Sequence, residues 1–138
     1  MQSVVDVKWN GKMEFAASID EHTIIMDLDE ERGGENAGPR PKPLMLASLG
    51  GCSGLDVIGI LKKMKIHPDY FNMRIEAEQT EDLPKRYHKI KIIYEFKGEN
   101  LSEDKLKKAI ELSQDKYCGV SAVYKKSIDM SYEIRILS

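Results

Sequence analysis

Apolar and polar residues alternate from the start of the chain. Val5, Val7 and Trp9 are interleaved with Asp6, Lys8 and Asn10, the two-residue period of a strand with one face covered. Asn10-Gly11 follows, a pair that favours a hairpin. Met13, Phe15 and Ala17 resume the alternation, Ile19-Asp20-Glu21-His22 turns the chain back, and Thr23 to Leu28 completes it. The pattern predicts three short antiparallel strands.

Residues 29–43 break the pattern, with three Gly and three Pro, so no regular element is expected there. The stretch reads either as a linker or as an ordered loop feeding the segment after it. That segment, Leu44 to Leu61, is almost wholly apolar or small, and Asp56 is its only charge. Its length approaches that of a membrane span. Four glycines (50, 51, 54 and 59), the central Asp56 and the terminal Lys62-Lys63 favour instead a helix buried all round in a protein core. A single small domain cannot cover such a helix on every side, which points to a dimer.

His67-Pro68-Asp69 ends the helix. Tyr70–Thr80 and Arg86–Lys97 read as two long strands, the second with Ile90, Ile92, Tyr94 and Phe96 on one face. Ser102 is placed to cap a helix carrying Leu106, Ala109 and Ile110 on its apolar side. Tyr117 to Ser121 marks a second short helical turn, and Ile128 to Ile136 alternates as a last strand. The order βββ-α-ββ-α-β is an α+β pattern with a long central buried helix, and residues 1–138 read as one domain.

The chain has 138 residues, well below the length of about 250 at which chains divide. Apolar residues make up 41% and charged residues 32%, which excludes a disordered tail and a membrane protein. The formal charge of −2 leaves no basic excess for nucleic acid. Two cysteines are too few for a secreted disulfide framework and suit a reducing cytoplasm. Met1 leads into Gln2-Ser3-Val4-Val5-Asp6, so no signal peptide is expected.

The chemistry narrows to Cys52 and Cys118. Cys52 lies in Gly50-Gly51-Cys52-Ser53-Gly54; a helix beginning or kinking there would aim backbone N–H groups at the sulfur and favour its thiolate. Cys118 opens the turn Gly119–Tyr124. By spacing alone both also read as buried small hydrophobes, the commoner state of free cysteine. His22, His67 and His88 are scattered, with no metal-type spacing, and neither GxSxG nor a phosphate-binding glycine motif occurs. Gly51-Cys52-Ser53-Gly54 matches the GxxG of an RNA-binding loop, but apolar flanks and neutral charge oppose that reading.

The stretch Gly33-Gly34-Glu35-Asn36-Ala37-Gly38-Pro39-Arg40-Pro41, running into Leu44 to Val57, resembles the signature of the OsmC-like proteins, relatives of osmotically inducible protein C and the organic hydroperoxide resistance proteins. Cys118-Gly119-Val120-Ser121 resembles that family's second cysteine motif, usually Cys-Pro-Val-Ser. The resemblance implies an intertwined homodimer and a thiol peroxidase needing no metal or organic cofactor. Cys52 would attack the organic hydroperoxide, Cys118 would resolve the sulfenic acid to a disulfide, and an external dithiol would reduce it. Such a protein acts without nucleic acid or membrane. The alternative is a dimer that senses oxidation or binds a small hydrophobic molecule. Peroxidases of the family pair a loop Glu with a strand Arg; here Lys42-Pro43 stands at the Glu position and Lys12–Leu28 holds no Arg. Arg40 is the expected activating cation, with Arg32 and Lys12 as alternatives and Glu35 as an orienting carboxylate. Asp56, one turn beyond Cys52, is expected to have a partner, since an unpaired buried acid is costly.

Overall fold

The computed structural model describes Met1–Ser138 and divides into two compact units, residues 1–45 and 46–138. In the first, strands β1 (Asp6–Trp9), β2 (Phe15–Ile19) and β3 (His22–Met26) form an antiparallel sheet in sequence order. The β2–β3 hairpin is a two-residue turn, with Asp20 and Glu21 both at positive φ, as its twist requires. The Asn10-Gly11 turn is wider than a two-residue hairpin: Asn10 N–H donates to Glu14 O and Glu14 N–H to Gly11 O. The sheet covers little of its apolar surface, for Val7 stays 53% and Trp9 61% exposed.

The Gly- and Pro-rich stretch is an ordered loop. Asp29 caps a 3-10 turn, Glu30–Arg32, and the rest folds over the Asp27 side chain. That carboxylate is 2% exposed and accepts from the N–H groups of Leu28, Glu35 and Ala37 at 2.8, 3.1 and 3.1 Å. Asp27 N–H donates in turn to Pro39 O. Gly38 runs so close to Ile25 O that any Cβ would collide with that carbonyl, so the loop's path requires glycine there.

The Ala37 hydrogen bond chiefly holds the Asp27 carboxyl below its ordinary value of 3.8, against the upward push of burial, with the Leu28 and Glu35 amides adding to it. A depressed folded-state pKa contributes stability that is present above the unfolded value and lost as pH falls through the folded one. The loop is therefore expected to loosen only below about pH 4. Amide exchange at Glu35 and Ala37 should accelerate there ahead of the second unit's core; simultaneous exposure of both would contradict this.

The second unit places helix α1 (Leu44–Lys63, beginning at the boundary) with a sheet of β4 (Tyr70–Gln79), β5 (Tyr87–Lys97) and β6 (Asp129–Ile136). Strand β5 is central, antiparallel to β4 and parallel to β6. A parallel neighbour needs a crossover. It is supplied by α2 (Glu103–Leu112), a π-helical turn (Ser113–Tyr117) and α3 (Gly119–Tyr124). Ser102 caps α2, its Oγ accepting from Lys105 N–H. Ile90, Ile92, Tyr94 and Phe96 of β5 join Leu106, Ala109 and Ile110 of α2 and Leu49, Val57 and Leu61 of α1 in one buried core.

Helix α1 has the length and hydropathy of a membrane span, yet its buried stripe, Leu49, Ser53, Val57 and Leu61, belongs to this core. The i, i+4 spacing keeps these residues on one face. Leu55 is 78% and Ile58 43% exposed on another, so burial within one chain is confined to a stripe. The glycines do not start or kink the helix at Cys52; it runs unbroken, and Cys52 lies in its third turn. What Gly50 provides is closeness, for a Cβ there would come within 2.8 Å of Ile75 Cδ1 on β4. The helix ends with Lys65 in the left-handed region and Ile66 N–H donating to Leu61 O at 2.9 Å.

Candidate active site

Three elements of the second unit converge on the two thiols. Helix α1 supplies Cys52, Ser53 and Asp56; the π-helical turn supplies Ser113 and Gln114; the start of α3 supplies Cys118 and Ser121. The Cys52 sulfur, the Cys118 sulfur and an Asp56 carboxylate oxygen all lie within 4.8 Å of one another. Cys118 is 2% exposed, whereas Cys52 is half-buried and the more accessible sulfur. Both thiols are free.

Cys118 caps α3, as its place in the sequence suggests. Its sulfur accepts from Ser121 N–H at 3.4 Å and from Ser53 Oγ–H at 3.3 Å. Cys52, inside a helix, has no free amide of its own helix to accept from; the N–H of Val120, in α3, favours its thiolate instead. Both sulfurs thus draw on the first turn of α3.

The thiols titrate as a pair. Burial pushes the Cys118 thiol up, but hydrogen bonds from Ser121, Ser53 and Cys52 outweigh it and leave Cys118 below the ordinary thiol value. For Cys52 the Val120 N–H pulls down, while burial, the hydrogen bond it gives to Cys118 and the charges of Cys118 and Asp56 push up and prevail. Within the pair, negative charge is therefore favoured on Cys118 over Cys52. Replacing Ser53 by alanine removes one donor, so the pH at which the pair first ionises should rise. Thiolate absorbance in Ser53→Ala against the wild type measures this; an unchanged titration would show that the hydroxyl does not hold the charge.

Asp56 has its partner: Ser113 Oγ donates to its Oδ2 at 3.2 Å. A buried polar line leads away from Cys118, since Ser121 Oγ–H donates to Gln114 Oε1 at 3.0 Å and Gln114 Nε2–H to the Tyr94 hydroxyl oxygen at 2.8 Å. Burial pushes the Tyr94 hydroxyl up to about 12, so Tyr94 stays neutral. Sequence reasoning missed Ser53, Ser113, Ser121 and Gln114. Their signal was faint: Ser53 interrupts the apolar i, i+4 stripe of α1, and Ser121 stands three residues after a cap.

The candidate cations lie in the first unit, each with local partners. The Arg40 guanidinium donates to Asn36 Oδ1 and to Gly38 O, the latter at 2.9 Å. Arg32 forms a salt bridge with Asp29 at 3.0 Å and Lys12 one with Glu35 at 3.4 Å.

An α+β chain in which a helix and a crossover bring two distant cysteines together defines a dithiol protein. The chain belongs to the OsmC-like protein family, whose model matches residues 33–133. It is 28% identical over 133 residues to Protein YhfA of Escherichia coli K12, covering 96% of each chain. A hypothetical protein from Aquifex aeolicus, seen in a crystal structure, is 30% identical with a TM-score of 0.84, covering 100% of this chain and 99% of that one. The organic hydroperoxide resistance protein OhrB of Bacillus subtilis, 14% identical with a TM-score of 0.69 over 98% of each chain, shares the fold.

Proposed function

We propose that the protein is a cysteine-based peroxidase that reduces organic hydroperoxides in the cytoplasm, working as a homodimer and recycled by an external dithiol. The observation that carries this reading is the pairing of an accessible thiol with a buried, hydrogen-bonded one less than 5 Å away. That is the arrangement a sulfenic acid needs if it is to be resolved before further oxidation.

The proton balance follows from the pair's geometry. Once the pair has lost its first proton, a thiolate on Cys118 takes the Cys52 proton and leaves a thiolate on the accessible sulfur. Cys52 Sγ attacks the terminal peroxide oxygen, the O–O bond breaks, and Cys52 becomes a sulfenic acid as alkoxide departs. Cys118 returns the proton to the alkoxide, giving the alcohol. Again a thiolate, Cys118 attacks the Cys52 sulfur, forming the disulfide and expelling hydroxide. Two electrons pass from the thiols to the peroxide, and the external dithiol restores them by exchange. Asp56 and Ser113 flank the pair.

Arg40 is assigned as the cation that stabilises charge on the reacting sulfur and peroxide, a role a permanently charged guanidinium suits. Arg40→Met should slow the first oxidation step while leaving the oligomeric state unchanged; a wild-type rate across pH 6–8 would move the assignment to Arg32 or Lys12. Dimerisation is supported by what one chain leaves uncovered, namely Leu55 and Ile58 of α1 and the apolar faces of Val7 and Trp9.

A second reading has one observation in its favour. An apolar cavity of about 390 Å³ in the first unit is lined by Val7, Met13, Phe15, Met26, Leu28 and Pro41, a site suited to a small hydrophobic molecule. A binder or sensor would use it without turnover. Mixing the reduced protein with cumene hydroperoxide and excess dithiol separates the two. The peroxidase consumes many equivalents of peroxide per chain, whereas a sensor stops after one.

A further inference from the structure

We propose that the reduced site also binds a thiophilic divalent cation of the zinc type, held by Cys52 Sγ, Cys118 Sγ and the Asp56 carboxylate. The three ligand atoms lie within 4.8 Å of one another. A tetrahedral zinc with Zn–S bonds of about 2.3 Å sets its ligands roughly 3.8 Å apart, so about an ångström of contraction completes the site. Rotation of the half-buried Cys52 and Asp56 side chains supplies it. Cys52 and Asp56 are four residues apart on α1 and share a face, while Cys118 meets them from the crossover.

The surroundings are those of a ligand set. Ser113 Oγ–H holds the Asp56 carboxylate by one oxygen, leaving the other to a metal. Ser121 N–H and Ser53 Oγ–H both point at the Cys118 sulfur, the kind of outer partner that orients a thiolate. Two thiolates and one carboxylate select a borderline-soft cation over magnesium or calcium. Three protein ligands leave a fourth position open, as in zinc sites that exchange a ligand. Spacing alone hid the set, since 65 residues separate Ser53, next to Cys52, from Cys118.

The metal and the disulfide exclude each other. Binding displaces thiol protons and ties one lone pair of each sulfur to the metal, which slows attack on peroxide; oxidation to the disulfide removes both thiolate ligands and ejects the metal. The protein would thereby react more slowly while zinc is bound, and release the zinc on oxidation. The proposal uses the reading of Cys52 and Cys118 as a reactive pair, but metal binding is measured without peroxide, so each can fail alone.

The test titrates the reduced, chelator-treated full chain with Zn²⁺ against a chromophoric competitor, and with Co²⁺ while watching thiolate-to-metal charge transfer. One metal per chain is expected, with the charge-transfer band lost in Cys118→Ser and in oxidised protein. Affinity should fall at least about tenfold in Asp56→Asn. Asp56→Asn binding as tightly as the wild type would overturn the site, as would wild-type protein with no charge-transfer band. A measurement on the wild type alone keeps the test sound if the variant does not fold: saturating Zn²⁺ should protect both thiols from alkylation. Unprotected thiols would refute it.

Discussion

Cys52→Ser is expected to end hydroperoxide turnover, with a rate loss of at least about a thousandfold, because the proposed nucleophile is gone and no other accessible thiol remains. Cys118 remains but is 2% exposed. Cys118→Ser should behave differently. Cys52 still reacts, more slowly without the neighbouring sulfur to take its proton, and stops as a sulfenic acid that excess peroxide carries to the sulfinic state. The signature is thus at most two peroxides consumed per chain in Cys118→Ser, one for the sulfenic and one for the sulfinic acid, and none in Cys52→Ser, read by peroxide loss and intact mass. Equal residual turnover in both variants would mean that the thiols do not form a cycle.

The second large effect is on assembly. Leu55 and Ile58 are 78% and 43% exposed on the α1 face away from the core. Burying such side chains contributes about 1.5–3 kcal/mol each, and an unpaired carboxylate in their place adds a desolvation penalty. Leu55→Glu with Ile58→Glu should therefore weaken a homodimer by about a thousandfold or more. Sedimentation would show a monomer at concentrations where the wild type is dimeric. The folded chain should survive, since neither residue belongs to the buried stripe of Leu49, Ser53, Val57 and Leu61. A wild type that sediments as a monomer would remove the dimer, and a double variant that stays dimeric would place the contact elsewhere.

Much of the fold was legible because each element carries its own period. Strand β5 alternates over Ile90, Ile92, Tyr94 and Phe96, and those four side chains are buried. Ser102 announced α2 and Cys118 announced α3, because caps are local chemistry. The parallel pairing of β5 with β6 was not legible, since register between distant strands depends on a crossover and not on either strand's pattern. The glycines around Cys52 misled for a related reason. A glycine breaks a helix or admits a neighbour, and only the approach of Ile75 to Gly50 decides which. The two cysteines stood out as residues. Their hydrogen-bond donors did not, because Ser53, Ser113 and Ser121 are joined by tertiary contact and carry no spacing of their own. The order of charge within the pair was likewise hidden: the helix start belongs to Cys118, and Cys52 borrows an amide from across the interface between α1 and α3.

The most direct test of the dithiol mechanism is peptide mapping of reduced wild-type protein after one equivalent of cumene hydroperoxide, without added reductant. The account predicts loss of two hydrogens from a single chain and a peptide pair linked through Cys52 and Cys118, reversed by dithiol. Stable sulfenic or sulfinic acid on Cys52 with Cys118 still free, or a bond joining two chains, would contradict it.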